Sequence, residues 1–193
     1  MTPETTSASS AGRRTERTFI VYLEDRPGTL NRVVSLFRRR GFNIDSLTVG
    51  RTERPGVSRL TLVVQLDDDA SRRLEAHLYN LVNVLYVEDV THHASLAREL
   101  ALVKVKVSAE KRGELLAVCE TFRARVVDVG PGSLIVELTG SPDELSGGLE
   151  VLRPYGILEL LRTGTVAMTR GASAPAALGA ALGGGVEANE VAA

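Results

Sequence analysis

The residues best placed to do chemistry lie in Glu24-Asp25-Arg26-Pro27-Gly28-Thr29-Leu30 and, after an amphipathic run, in Gly41-Phe42-Asn43-Ile44-Asp45-Ser46-Leu47-Thr48-Val49. The first block stands between a strand pattern, Thr18 to Leu23, and a run whose apolar residues are Leu30, Val33, Val34 and Phe37. That spacing is helical. Pro27 suits the first helical position, where its missing N–H would have been unpaired anyway, and Gly28 lets another group approach the backbone closely. A helix N-terminus presents free amides, a ready site for a small anion such as a carboxylate. Asp25 beside it offers the opposite charge, suited to an ammonium. A small site with both poles fits a free amino acid. An ordinary turn into a helix uses the same residues, and spacing alone leaves both readings open.

Other candidate chemistry is thinner. His92 and His93 are adjacent, so on a strand they point to opposite faces and cannot chelate one metal together. Asp67, Asp68 and Asp69 precede a helix and are better read as stabilising its positive end than as a cation site. Arg38, Arg39 and Arg40 close a helix, where cations suit the negative pole of the dipole. Cys119 is the only cysteine, which excludes an intrachain disulfide and a thiol metal cluster; its neighbours Leu115, Leu116, Val118 and Phe122 mark it as a packing thiol. The phosphate-binding glycine motifs are absent. No catalytic or metal-ligating residue is assigned.

The elements that must position the first two blocks come in two copies. Leu30, Phe37, Arg38 and Arg40 match Leu115, Phe122, Arg123 and Arg125, each pair 85 positions apart, and the same offset sets Gly28 on Gly113, Asn43 on Asp128 and Ile44 on Val129. A constant offset across helix and strand indicates a repeated supersecondary plan. The first copy reads strand 18–24, helix 27–40, strand 43–52, strand 57–66, helix 69–82 and strand 84–91; the second reads strand 101–108, helix 111–123, strand 125–130, strand 133–139, helix 142–153 and strand 157–168. Glu53-Arg54-Pro55-Gly56 and Pro131-Gly132 supply the hairpin turns, Gly147-Gly148 reads as a weak or broken stretch of helix, and Ala94 to Glu99 bridges the copies. The order βαββαβ, met twice, is an α+β class of two tandem ferredoxin-like domains. Their expected bounds are 17–93 and 94–171, between disordered tails at 1–16 and 172–193, the latter with at most a frayed Ala-based helix at 176–182. One sheet face in each copy should be uncovered, with Ile20, Tyr22 and Val63 on it, and exposed apolar surface and sheet edges favour dimers.

Composition narrows the function classes. A chain of 193 residues with formal charge −1 gives no electrostatic case for nucleic acid or an acidic membrane. The N-terminus lacks the charged-then-apolar order of a signal peptide and no apolar run reaches spanning length, so the cytoplasm is the expected compartment. RNA-binding modules share the ferredoxin-like plan, but Phe19, Tyr22 and Tyr86 are the few strand aromatics and the basic-aromatic strand signature is missing. An acylphosphatase-type site would need an Arg in the first turn and an Asn on the sheet; Arg26 and Asn43 match loosely, without a glycine-rich phosphate loop.

The first block resembles an ACT domain, a small amino-acid-sensing module, and the span Arg17 to Gly171 resembles the regulatory (small) subunit of acetolactate synthase, also called acetohydroxyacid synthase. The residues that carry the resemblance are the two opening blocks, Ser58-Arg59-Leu60-Thr61, Arg98-Glu99-Leu100-Ala101-Leu102-Val103-Lys104-Val105, Phe122-Arg123-Ala124 with Val127-Asp128-Val129, and Arg162-Thr163-Gly164 with Thr169-Arg170-Gly171. The resemblance implies a non-catalytic subunit, an N-terminal ACT domain and a C-terminal ACT-like domain, with no cofactor bound by this chain. It implies a large catalytic partner carrying thiamine diphosphate, Mg and usually FAD, which condenses pyruvate with pyruvate or 2-oxobutyrate on the route to valine, leucine and isoleucine. The small subunit would activate that partner and confer feedback inhibition by a branched-chain amino acid, typically valine. A stand-alone ACT-type amino-acid sensor for another enzyme or regulator is the alternative. The implied effector residues are Asp25, Gly28, Thr29, Asn43 and Ile44, with backbone amides near Gly28 and Thr29 on the carboxylate, shared across a homodimer of ACT domains. The family usually has Asn where this chain has Asp25, a change expected to strengthen the hold on an ammonium. The turn Glu110-Lys111-Arg112-Gly113-Glu114 suggests that the second copy has lost the site.

Overall fold

The computed structural model describes residues 13–171. The chain opens with β1 (Thr15–Glu24), α1 (Thr29–Arg40), β2 (Ser46–Arg51), β3 (Val57–Leu66), α2 (Asp68–Tyr79) and β4 (Val84–Asp89). These strands form one sheet in the order β2-β3-β1-β4, every neighbouring pair antiparallel. Strand alternation sends Phe19, Val21 and Leu23 of β1 and Leu60, Leu62, Val64 and Leu66 of β3 to one face, where Val33 and Phe37 of α1 and Leu74 and Leu78 of α2 close the core. Each such side chain contributes about 1.5–3 kcal/mol on burial. The helical stripe differs from the one expected: Leu36 is buried, while Leu30 and Val34 are 38% and 40% exposed.

Capping and one polar corner fix the rest of this unit. Asp67 accepts from the Ala70 amide at 2.8 Å and so caps α2, and Asp68 in its first turn pairs with the buried Arg17. At the end of β4, Asp89 accepts from Ser71 Oγ at 2.7 Å and from the Thr91 amide at 3.0 Å. Burial pushes its carboxyl up, but the bonds from Thr91 and Ser71, with the Arg17 charge, outweigh that and hold it below the usual carboxylate range. His92 and His93 lie in the turn beyond and take separate partners, Arg17 at 2.8 Å and Glu88 at 3.2 Å.

The second half contains β5 (Ser95–Lys106), α3 (Arg112–Thr121), β6 (Arg125–Val129), β7 (Ser133–Gly140), α4 (Pro142–Leu152), β8 (Ile157–Arg162) and β9 (Val166–Thr169). Its sheet order is β6-β7-β5-β8, the plan of the first half, with its own core around Val103, Val105, Leu115, Leu134, Val136 and Leu145. The fold is therefore α+β, with the ferredoxin-like plan repeated in tandem. Four expectations need correction. Ala94 to Glu99 is no mere bridge, because β5 begins at Ser95 and pairs there with β9. The strand expected at 157–168 is two, parted at Thr163-Gly164-Thr165, where Gly164 has φ +82°. The helix α4 runs unbroken through Gly147-Gly148, started by Pro142 and a capping box between Ser141 and Glu144. It keeps Gly148 because a Cβ there would sit 3.3 Å from Leu138 Cδ2. Finally, β1 starts at Thr15, inside the stretch read as a tail; residues 1–12 and 172–193, with the frayed helix expected at 176–182, lie outside the described residues.

The open face of the first sheet is not bare. Ile20, Thr61 and Val63 on it are 2–4% exposed. The segment 163–169 crosses this face: Arg59 donates to the Ala167 carbonyl, the Thr165 amide donates to Ser46 Oγ at 2.9 Å, and Val166 and Met168 line one cleft with Ile20 and Tyr22. The equivalent face of the second sheet shows Leu161 at 57% exposure beside a Lys104–Glu159 ion pair of 2.7 Å.

Candidate functional site

The turn after β1 is built by its own backbone. The Asp25 amide donates to the Gly56 carbonyl at 2.8 Å, the Arg26 amide to the Glu24 carbonyl at 2.9 Å and the Thr29 amide to the Arg26 carbonyl at 3.2 Å. Gly28 is the N-cap of α1, with φ +84° and ψ −9°, a left-handed conformation that glycine adopts without penalty. Pro27 thus lies in the turn and not in the first helical position, since α1 starts at Thr29. No side chain caps this helix and no acidic residue occupies its first turn. Among the described residues no acceptor meets the amides of Gly28, Leu30 or Asn31, so these are the groups left for an anion, while the Thr29 amide is already used. Thr29 itself is buried at 3% exposure, and Asp25 and Gly28 are exposed.

Around this turn the charges are arranged in pairs. Glu24 receives Asn83 Nδ2 at 2.5 Å and Arg26 Nε at 3.1 Å. Asp25 faces the Arg51 guanidinium at 3.5 Å, an exposed pair that water and salt screen strongly. An ammonium at Asp25 would meet Arg51 as its competitor.

The second block lies elsewhere. Asn43 and Ile44 follow the C-cap Gly41, so a whole 12-residue helix separates them from Gly28. At 1.5 Å per residue that is about 18 Å. The sheet says the same: the start of β2 pairs at Ser46 with Val63, and Val63 pairs with Thr18 near the start of β1, whereas the turn after Glu24 adjoins Val57. Within one chain the structure does not bring Asp25, Gly28 and Thr29 together with Asn43 and Ile44. Asn43 is exposed and donates Nδ2 to Asp45 at 3.0 Å, which leaves its carbonyl oxygen available to an ammonium; Ile44 is half-buried against the core.

The second copy is not a faithful image of the first. α1 and β2 are joined by residues 41–45, whereas α3 and β6 are joined by 122–124 only. α3 also ends at Thr121, four residues before the position that the offset assigns to the end of α1. β6 therefore begins early and takes in Asp128 and Val129, which are not the spatial equivalents of Asn43 and Ile44. Gly113 lies inside α3 with no positive φ, and Arg112 donates to the Gly130 carbonyl at 2.9 Å. Glu114 accepts from Tyr155 at 2.8 Å. This turn lacks the left-handed glycine cap of α1, and the first turn of α3 carries the acidic Glu114 where that of α1 carries no acidic residue.

Among the described residues no three His, Cys, Asp or Glu side chains come together as metal ligands, and no helix is long and apolar enough to cross a membrane. Burial raises the Cys119 thiol above its ordinary range. The model of the AHAS small subunit-like ACT domain matches residues 19–86, and that of the small subunit of acetolactate synthase matches residues 98–171. A probable acetolactate synthase small subunit of Archaeoglobus fulgidus is 48% identical over 156 residues, covering 81% of this chain and 98% of that protein. The acetolactate synthase small subunit of Mycolicibacterium smegmatis is 46% identical over 164 residues, covering 85% and 95%. The crystal structure of the acetolactate synthase small subunit from Thermotoga maritima superposes with a TM-score of 0.75 at 36% identity, covering 81% of this chain and 98% of that one.

Proposed function

Because the chain belongs to the family of acetolactate synthase small subunits, we propose that it activates a separate catalytic subunit and makes that enzyme sensitive to valine. Its effector site is completed only by a second copy of the chain. The observation that carries this reading is the placement of the two halves of the site at opposite ends of α1. A two-fold axis that sets β2 against β2 and α1 against α1, both antiparallel, carries the Gly28 turn of one chain to the Asn43 segment of the other. Both elements are suited to pairing: β2 is an edge strand, and Leu30, Val34 and Val49 present apolar side chains at 38–42% exposure beside it.

In such a site the Leu30 and Asn31 amides receive the carboxylate at the positive end of α1, and the left-handed Gly28 keeps their approach free of a side chain. Asp25 and the partner chain's Asn43 segment hold the ammonium, and the Ile44 segment supplies the apolar wall that fits a branched side chain. Two chains sharing each ligand couple occupancy to their relative orientation. The second half of the chain, without such a site, presents the subunit to its catalytic partner, for which the exposed Leu161 face supplies apolar surface. Thiamine diphosphate, Mg and FAD belong in this reading to that partner, in the cytoplasm.

Reconstitution tests the proposal. Added to the purified catalytic subunit, the full chain should raise acetolactate formation, and valine should then lower it. Calorimetry with valine, leucine and isoleucine ranks the effectors; one methylene is worth about 1–3 kcal/mol, so selectivity should be graded. A chain that binds valine yet leaves the catalytic subunit's rate unchanged is a free-standing sensor instead.

A further inference from the structure

Two of the sequence blocks that the effector site does not use, around Glu99 and around Gly164, meet the later part of the block that it does use at one spot between the two sheets. Ser46 opens β2, three residues after Asn43. Its Oγ accepts the Thr165 amide at 2.9 Å, and Thr48 Oγ1 reaches the Thr163 carbonyl at 3.5 Å. From the other side the same short segment is held to β5: Thr165 Oγ1 donates to Glu99 Oε1 at 2.7 Å, Arg162 Nε donates to Glu99 Oε2 at 3.0 Å, and Thr163 Oγ1 accepts the Leu100 amide at 3.1 Å. Glu99 is 8% exposed and Thr165 6%, so neither oxygen set can turn to water as a substitute. Gly164 makes the close approach feasible: at φ +82°, a Cβ there would lie 2.5 Å from Ser46 Oγ and 3.2 Å from Thr48 Oγ1. The first unit therefore meets the 162–165 segment with the hydroxyl that lies next to the effector segment. A cleft of about 570 Å³, lined by Asp45, Ser46, Glu99, Arg162 and Thr165, adjoins the contact and leaves it room to rearrange.

We infer that Ser46, seated against Gly164 and Thr165, is the positioning residue through which effector occupancy at Asn43 and Ile44 is passed to the second half of the chain. The inference rests on the amino-acid effector reading. A ligand that draws the 43–45 connection toward the partner's turn shifts the start of β2, and the Ser46 hydroxyl either keeps or releases the Thr165 amide. The 162–165 segment is fixed to β5 by Glu99, so that choice alters how β5 and its sheet sit against the first sheet. Allostery needs two arrangements that both sites bias, and this single hydrogen bond across a side-chain-free glycine is the element with two settings.

Two full-length variants test it in the reconstituted enzyme. Ser46→Ala removes the acceptor without touching the proposed ligand contacts. It should bind valine within about twofold of the unaltered chain by calorimetry, while its ability to transmit inhibition falls by a factor in the range of about 5–150 expected of a coupling contact. The pair Ser46→Cys and Gly164→Cys places Cβ atoms 3.6 Å apart, inside the disulfide range of about 3.5–4.5 Å. Cys119, the only native thiol, is buried and will not interfere. Oxidised, this variant should bind valine but pass on no change in activity; reductant should restore inhibition in the same sample. If the disulfide does not form, Ser46→Ala decides. Inhibition of Ser46→Ala as deep as that of the unaltered chain overturns the inference, and so does a parallel loss of affinity and inhibition, which would put Ser46 in the effector site itself. An unaltered chain that binds no branched-chain amino acid refutes the functional reading first, separately from either variant.

Discussion

Gly28→Asp separates a ligand-binding turn from an ordinary one. At φ +84° any side chain is strained, at about 1 kcal/mol, but the space around the site is open: an added Cβ meets no atom within 4 Å. The chain should therefore fold, with a melting temperature lower by roughly 2–4 °C. Affinity should suffer far more. A carboxylate on residue 28 lies beside the Leu30 and Asn31 amides and competes for them, and charge-assisted bonds of this kind are worth about 1.5–3 kcal/mol each. Like charges about 4 Å apart near a protein surface add a repulsion of up to about 4 kcal/mol. A combined loss of at least about 3 kcal/mol corresponds to roughly a hundredfold or more in Kd. Gly28→Ala carries the same backbone strain without the charge and should lose less than about tenfold. Calorimetric titration of the three proteins with valine, each first shown to melt cooperatively, is the assay. A Gly28→Asp chain that binds valine within about threefold of the unaltered protein refutes the placement of the carboxylate.

Stability offers two further expectations. Asp89→Asn should cost about 2 kcal/mol at neutral pH, because the carboxylate accepts from Ser71 and Thr91. Its folded pKa is lowered, so this contribution is present above the unfolded value near 3.9 and is lost as pH falls through the folded value; the gap between the two proteins' denaturation midpoints should close below about pH 4. The adjacent glycines of α4 should respond with opposite signs in thermal melts. Gly147→Ala has no atom within 4 Å of the new methyl and should stabilise by about 0.5–1 kcal/mol, whereas Gly148→Val crowds Leu138 and should cost about 1–3 kcal/mol.

Much of the architecture was legible because local pattern and global fold agree. The alternation of Leu60, Leu62, Val64 and Leu66, the Asp67 cap and the repeated order of elements all report choices made within a few residues of each other. What was not legible depends on partners distant in sequence. β9 is four residues long and pairs with the start of β5 across some 70 positions, so neither strand announces the other. The same crossing buries Ile20 and Val63, which alternation alone assigns to an open face. At the candidate site, the residue types were readable but their grouping was not. Spacing put Gly28 and Asn43 on one helix–strand unit, while the antiparallel order of β2, β3 and β1 sends them to opposite ends of it. The constant offset misled in the second copy, where α3 ends four residues early and the α3–β6 connection is two residues shorter than its counterpart, so that Asp128 falls inside a strand.

A two-chain site can be tested by complementation. Homodimers of Gly28→Asp and of Asn43→Ala each carry two defective sites. In a heterodimer of one Gly28→Asp chain and one Asn43→Ala chain, purified through two different tags, a site shared between chains places both defects in one pocket and leaves the other intact. Calorimetry should then return valine binding at the unaltered affinity with half the stoichiometry. If each chain instead formed its site from its own turn and its own Asn43, both pockets would remain damaged, and a heterodimer that binds no better than either homodimer would contradict the shared site.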